Sequence, residues 1–315
     1  MSRPGAADLA ASRWRGQRGR LEVWYSTLTD PVTGTGIWLH HELVVPTDDR
    51  GAYGHGWIAV FRSDHAPVLE RFGPYPWARP KSGFVAGPVE HVGDRLSGTA
   101  GQVRWDLRTV TAGEPMFTFP SWAWNQELLP AAQVVPQPQA TYSGTLRLGE
   151  EELVLAEAVG ASARIYGHGN ALRWGWLHAD LGDGEVCEVV TAVSKRPGLR
   201  RLAPLAQVQL RLNGEPDRPR DPLLTALRLK TTLQRDGWTV RGRLGARRIE
   251  IDVRLPEDQT VDVSYLDPDG RMLVCRNSER AQAAIRLLRR ERGSWVTERD
   301  WLLTSTAHAE AGGEL

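Results

Sequence analysis

The chain has 315 residues, 41% of them apolar and 24% charged, a globular composition that excludes disordered and fibrous classes. Lys plus Arg number 39 against 38 Asp plus Glu, so the overall charge gives no reason to expect a nucleic-acid or anionic-membrane partner. No stretch reaches the roughly 18 unbroken apolar residues of an integral membrane span.

In chain order, MSRPGAADLAASRWRGQRGR lacks the apolar core of a signal peptide and carries the Arg13–Arg20 run. Residues 1–19 are therefore expected as a flexible, solvated arm, and a cytoplasmic location is the default. Gly34-Thr35-Gly36 precedes a strand pattern and not a helix, so it is no dinucleotide fingerprint. WLHHEL at 38–43 is echoed by WLHADL at 176–181. In a strand, Trp38, His40 and Glu42 share one face, and Trp176, His178 and Asp180 repeat it. That face either lines a cavity or forms a solvated or inter-domain surface.

QVRWDLRTV and RRIEIDVRL alternate apolar and charged residues, the mark of antiparallel strands with one face in water. In FPSWAWNQELLP, Trp122 and Trp124 share a strand face. The segment 130–144, PAAQVVPQPQATYSG, has three prolines and three glutamines and is expected as an extended, solvated linker. A boundary near residue 140 gives two mostly β domains, 20–140 and 141–315. Asp236-Gly237 predicts a tight hairpin, and Asp267-Pro268-Asp269-Gly270 a turn. SERAQAAIRLLRRE leans towards a strand that turns back at Arg292-Gly293. The Arg286–Arg292 run reads as a solvated face, and Cys187 and Cys275 as small buried thiols.

Ten of the 13 tryptophans precede residue 177. Half-buried walls of clefts suit this residue, so an aromatic-lined cavity and plain strand packing are both open readings. YGHGNALRWGW at 166–176 gathers His168, Asn170, Trp174 and Trp176. An imidazole beside a carboxylate can move protons near neutral pH, which singles out His178 with Asp180 as a candidate pair. No G-x-S-x-G elbow, phosphate loop or H-E-x-x-H motif is present, and the eight histidines show no metal-ligand spacing.

Over WYSTLTDPVTGTGIWLHHEL and YGHGNALRWGWLHADL the chain resembles the tandem lipocalin-like superfamily of carotenoid 1,2-hydratases, tocopherol cyclases and natural-product Diels–Alder cyclases. The resemblance implies an all-β fold of two lipocalin-like antiparallel barrels in tandem. It further implies a long apolar isoprenoid or polyene substrate, without metal or organic cofactor. By it, His168, Asn170 and Trp174 look like the cluster that opens the second domain, with Asp180 standing in for the family's acid. Trp24 and Tyr25 look like the aromatic pair on the first strand.

Two functions are therefore carried forward, with a sealed domain or partner interface as a third. One is a cofactor-free cyclase, hydratase or isomerase with His168, Asn170, His178 and Asp180 as catalytic candidates. Trp24, Trp38, His40, Trp122, Trp124, Trp174 and Trp176 are its candidate substrate contacts. The other is a non-catalytic carrier or sensor for an apolar small molecule.

Overall fold

The computed structural model describes residues 6–80, 82–119, 124, 131–217 and 222–315. Besides helices α1 (Ala6–Ala10) and α2 (Pro222–Leu227), a 3-10 turn and helical Trp124, the elements among the described residues are strands. The first sheet holds β1 (Arg20–Thr29), β2 (Gly36–Val45), β3 (Tyr53–Phe61), β4 (Val68–Pro76), β5 (Phe84–Ala86) and β6 (Val89–Val92). It continues with β7 (Arg95–Ala100), β8 (Val103–Ala112), β9 (Met116–Phe117), β10 (Ala131–Leu148) and β11 (Glu151–Gly167). The second holds β12 (Arg173–Gly182), β13 (Glu185–Val193), β14 (Leu205–Leu212), β15 (Glu215–Asp217) and β16 (Leu229–Gln234). Its remaining strands are β17 (Gly237–Leu244), β18 (Arg247–Arg254), β19 (Val261–Leu266), β20 (Met272–Glu291) and β21 (Ser294–Gly313). The chain divides into two compact units, which part after Gly169; Thr118 and Phe119 go with the second and 266–272 with the first.

The expected periodicities are realised. Val103, Trp105 and Leu107 enter the first core while Arg104, Asp106 and Arg108 stay outside. Ile249, Ile251 and Val253 do the same in the second. The β16–β17 hairpin forms one residue earlier than expected: its two turn residues are Arg235 and Asp236, and Gly237 already pairs with Gln234 as the first residue of β17. Asp267 and Gly270 close the next turn through Gly270 N donating to Asp267 O at 2.9 Å. The segment containing SERAQAAIRLLRRE is strand β20, which returns at Arg292-Gly293 into β21. Both cysteines are buried and free, and burial pushes their thiols up.

The two sheets repeat one topology. The first runs β4-β3-β2-β1-β11-β10-β8-β7-β6-β5, and the second β15-β14-β13-β12-β21-β20-β18-β17-β16. Aligned on β1 and β12, the order matches from β4 and β15 through to β6 and β16, and β5 alone has no counterpart. Even the short side strands agree, β9 on β10 and β19 on β20. The ends of each sheet come back together, β5 against β4 and β16 against β14, so each curls into a lipocalin-like antiparallel barrel. The echoed hexapeptides, however, occupy different strands. WLHHEL lies on β2, whereas WLHADL lies on β12, the counterpart of β1.

Two further expectations are corrected. Residues 130–144 are not a solvated linker, because 131–144 form most of β10 and are largely buried. The register of β10 against β11 shifts between Val134 and Gln137 and again between Gln137 and Ala140. Pro136 and Pro138, which cannot donate to a ladder, fall inside those interruptions. Nor do residues 8–19 float as an arm. Ser12 Oγ and Arg13 N donate to the Glu22 carboxylate, each at 2.7 Å, and Trp24 Nε1 donates to Ala10 O at 2.9 Å. Buried Arg164 joins them, donating to Leu9 O at 2.6 Å and pairing with Glu22.

Candidate functional site

Ordinary strands in these sheets have a wet face, but β1, β2, β3 and the first half of β12 are buried on both faces. One face of each is apolar barrel core. On β2, β3 and β12 the other carries histidines, acids or tryptophans, whereas on β1 it carries Val23, Tyr25 and Thr27; burying polar groups is costly unless they are paired.

On the second sheet the pairing is set by register. His178 lies opposite Glu188 of β13 on one side and His308 of β21 on the other. His178 Nδ1 is 3.0 Å from Glu188 Oε2, and Trp176 Nε1 donates to Glu188 Oε1 at 2.7 Å. A carboxylate at Nδ1 keeps the ring proton there and leaves Nε2 to present its lone pair. Nε2 is buried and has no partner among the described residues. The His308 ring stacks 6.0 Å from that of His178, and its Nδ1 is 2.6 Å from Glu279 Oε2. Asn277 Nδ2 donates to Glu279 Oε1 at 3.0 Å, while Trp174 Nε1 reaches Glu310 at 3.4 Å. The β20–β21 register shifts between Ser278 and Ala281, beside Asn277 and Glu279, as bulges beside functional sites often do.

Burial pushes the Glu279 carboxyl well above the usual carboxylate range, against smaller opposing effects of Asn277 and His178. Burial first, and the neighbouring His178 second, push His308 down to about 3. The proton of this couple therefore resides on Glu279 at neutral pH. The site thus joins a neutral carboxylic acid to an imidazole with an open basic nitrogen.

The first sheet carries a separate cluster. Trp38, His40 and Glu42 share a face as expected, and His40 Nε2 lies 3.0 Å from Glu42 Oε1. His55, opposite Glu42 in the ladder, brings Nε2 to 3.0 Å from Oε2. Burial alone would raise Glu42, but hydrogen bonds from His40 and His55 bring it down to about 2. Trp38 and Trp57 stack 6.5 Å apart beside this group, and Tyr25 accepts from Gln133 Nε2 at 3.0 Å.

Other sequence candidates lie elsewhere. Asp180 does not back His178: its Oδ1 accepts from Gly182 N at 2.9 Å, capping the β12 turn, and Glu188 takes its place. His168 is exposed and Asn170 half-buried, both on the segment between β11 and β12. Trp24 packs in the first barrel core beneath the Arg164 guanidinium, 4.1 Å from its ring centre. Trp124 packs with Leu9, Val134 and Tyr166 under the cation of Arg13, 4.7 Å away. Trp122 lies outside the described residues. An open pocket of about 250 Å³ between Leu212, Pro216, Arg247 and Glu298 has no tryptophan in its lining.

Glu188, Asn277, Glu279, His308 and Glu310 were not singled out in the sequence. Their signal was present in AHAEA at 307–311, where Ala307, Ala309 and Ala311 pack in the core and His308 and Glu310 take the opposite face. Small apolar residues interleaved with His and Glu mark a strand whose second face is buried and polar.

A family model described as tocopherol cyclase-like matches residues 58–313. The protein Rv0493c of Mycobacterium tuberculosis strain H37Rv is 48% identical over 306 residues, covering 96% of this chain and 89% of its own length. Among solved structures, CghA with Sch210972 aligns at a TM-score of 0.60 and 15% identity, over 94% of this chain and 88% of that one. Kievitone hydratase from Nectria haematococca aligns at 0.56 and 11%, over 93% and 88%. Both share the fold. Matched over most of its length, the chain belongs to the tocopherol cyclase-like family.

Proposed function

We propose that the protein is a cofactor-independent cyclase or hydratase acting on an apolar isoprenoid or polyene molecule, with the His178–Glu279 cluster as its acid–base centre. The observation that carries this is His178, whose Nδ1 is tied to Glu188 while its buried Nε2 is open. Glu279 supplies a proton to one carbon of an alkene. The adjacent carbon, now cationic, is captured by a hydroxyl of the same molecule or by water. The proton lost from that oxygen passes to His178 Nε2, and its return from His178 to Glu279 restores both groups. The indoles of Trp174 and Trp176 offer ring faces to the transient cation. Membership of a cyclase family and a fold shared with a hydratase support this reading.

The test is incubation with a panel of prenylated hydroquinones and polyenes in D₂O, reading deuterium uptake by mass spectrometry. His178→Ala and Glu279→Gln should abolish uptake while indole fluorescence still reports binding. Binding without turnover by the unmodified protein would instead mark a carrier.

A further inference from the structure

The near-zero net charge conceals one strongly uneven stretch. From Val189 to Gly214 there is no acidic residue, while Lys195, Arg196, Arg200, Arg201 and Arg211 fall within it. Its middle, SKRPGLRRLAPL, connects β13 to β14 and exposes apolar side chains among the cations. Leu199 is 40% exposed, Leu202 52% and Leu205 47%. Arg196, Arg200 and Arg201 are exposed and take part in no ion pair among the described residues. The loop is folded: Leu199 N donates to Arg196 O at 3.0 Å, Leu202 N to Leu199 O at 3.1 Å, and Arg200 Nε to Lys195 O at 2.9 Å. Helix α2, packed on β14, adds Leu224 and Leu227, 50% and 70% exposed.

Three leucines at three-residue spacing, held outward by turns and flanked by arginines, expose apolar surface that a soluble face has no reason to keep. We infer that this loop is a docking surface for an anionic lipid bilayer, the leucines entering the headgroup boundary and the arginines meeting lipid phosphates. A nucleic acid would use the cations and leave the leucines idle. A bilayer interface uses both. The surface shares no residue with the His178 cluster and does not depend on the reaction assigned to it.

The test is co-sedimentation of the full chain with vesicles of phosphatidylcholine alone and of phosphatidylcholine mixed with phosphatidylglycerol. Binding is expected on the anionic vesicles only and should weaken as salt rises. At about fivefold per cationic charge, R200E with R201E should lower partitioning by more than tenfold. L199S with L202S should lower it about tenfold through lost apolar burial. Circular dichroism confirms that each variant keeps its sheets; should either unfold, the lipid and salt dependence of the unmodified protein decides alone. Equal binding to neutral vesicles, no binding at low salt, or retention after L199S with L202S would overturn the inference, the last pointing to a general polyanion site.

Discussion

His178 and His308 are direct partners across the β12–β21 ladder, with rings 6.0 Å apart, yet each faces a different kind of carboxyl. Glu188 shares its oxygens between two N–H donors, His178 and Trp176, as a carboxylate does. Glu279 is held neutral by burial and sits 2.6 Å from an imidazole whose own charge is suppressed. Two chemically similar dyads thus sit side by side with their protons in opposite places. Separation of acid and base by environment is what proton-transfer sites require.

Glu188 acts on the reaction through the His178 ring, so it is a positioning residue. Glu188→Gln keeps the shape and removes the charge that holds the proton on Nδ1. Nitrogen NMR should show one Nδ1–H tautomer in the unmodified protein and a mixture in the variant. On a substrate found by the deuterium panel, kcat should drop by about a thousandfold or more, with KM little changed. A single unchanged tautomer in Glu188→Gln removes the residue from this role.

His91 is one of the buried histidines, with His41 and His308, that weaken the fold in acid. It lies in the first barrel, its ring 5.5 Å from that of His41, and Nδ1 has no partner among the described residues. Burial, with Arg164 adding to it, brings it from the usual 6.5 down to about 4. The folded protein keeps His91 neutral while the unfolded chain takes up a proton, so stability falls as pH drops from 6.5 to about 4. That loss amounts to roughly 3 kcal/mol. His91→Phe should flatten the dependence by one proton and be more stable than the parent at pH 5. Urea unfolding across this range measures both.

Much of the architecture was legible in the chain because strands with one wet face write their alternation plainly, as at 103–108 and 248–254. The site was less so. His178 was found through its echo of WLHHEL, but the echo joined strands that are not equivalent, and it suggested Asp180, two residues along, as the carboxylate. In β2 that logic works, since His40 does meet Glu42. In β12 the acid arrives across the ladder from Glu188, and Glu279 comes from β20, a pairing fixed only when the barrel closes. The prolines of β10 misled for a local reason: they fill gaps in a ladder, and composition alone cannot tell an interrupted strand from a linker.

Gly312 permits one contact of the site. A Cβ there would overlap the Trp174 indole, whose Nε1 reaches Glu310. Gly312→Ala should destabilise by about 2 kcal/mol through overpacking. Gly51→Ala, with open space around the position, should stay within about 0.5 kcal/mol. Guanidinium midpoints of the two variants provide the comparison.

The strongest stability effect is expected at Arg164. Its guanidinium is fully buried, bonds Leu9 O, Ala11 O and Val23 O, and pairs with Glu22, which in turn holds Ser12 and Arg13. Removing one member leaves the other charge buried and uncompensated, so Arg164→Met should cost about 3–5 kcal/mol. The same change frees the carbonyls that anchor α1, so trypsin should cut within the Arg13–Arg20 run faster than in the parent. If Arg164→Met with Glu22→Gln recovers part of the stability but not the protease resistance, charge burial and segment anchoring are separable. Recovery of both would mean that the uncompensated charge of Glu22, and not the loss of the carbonyl bonds, had released the segment.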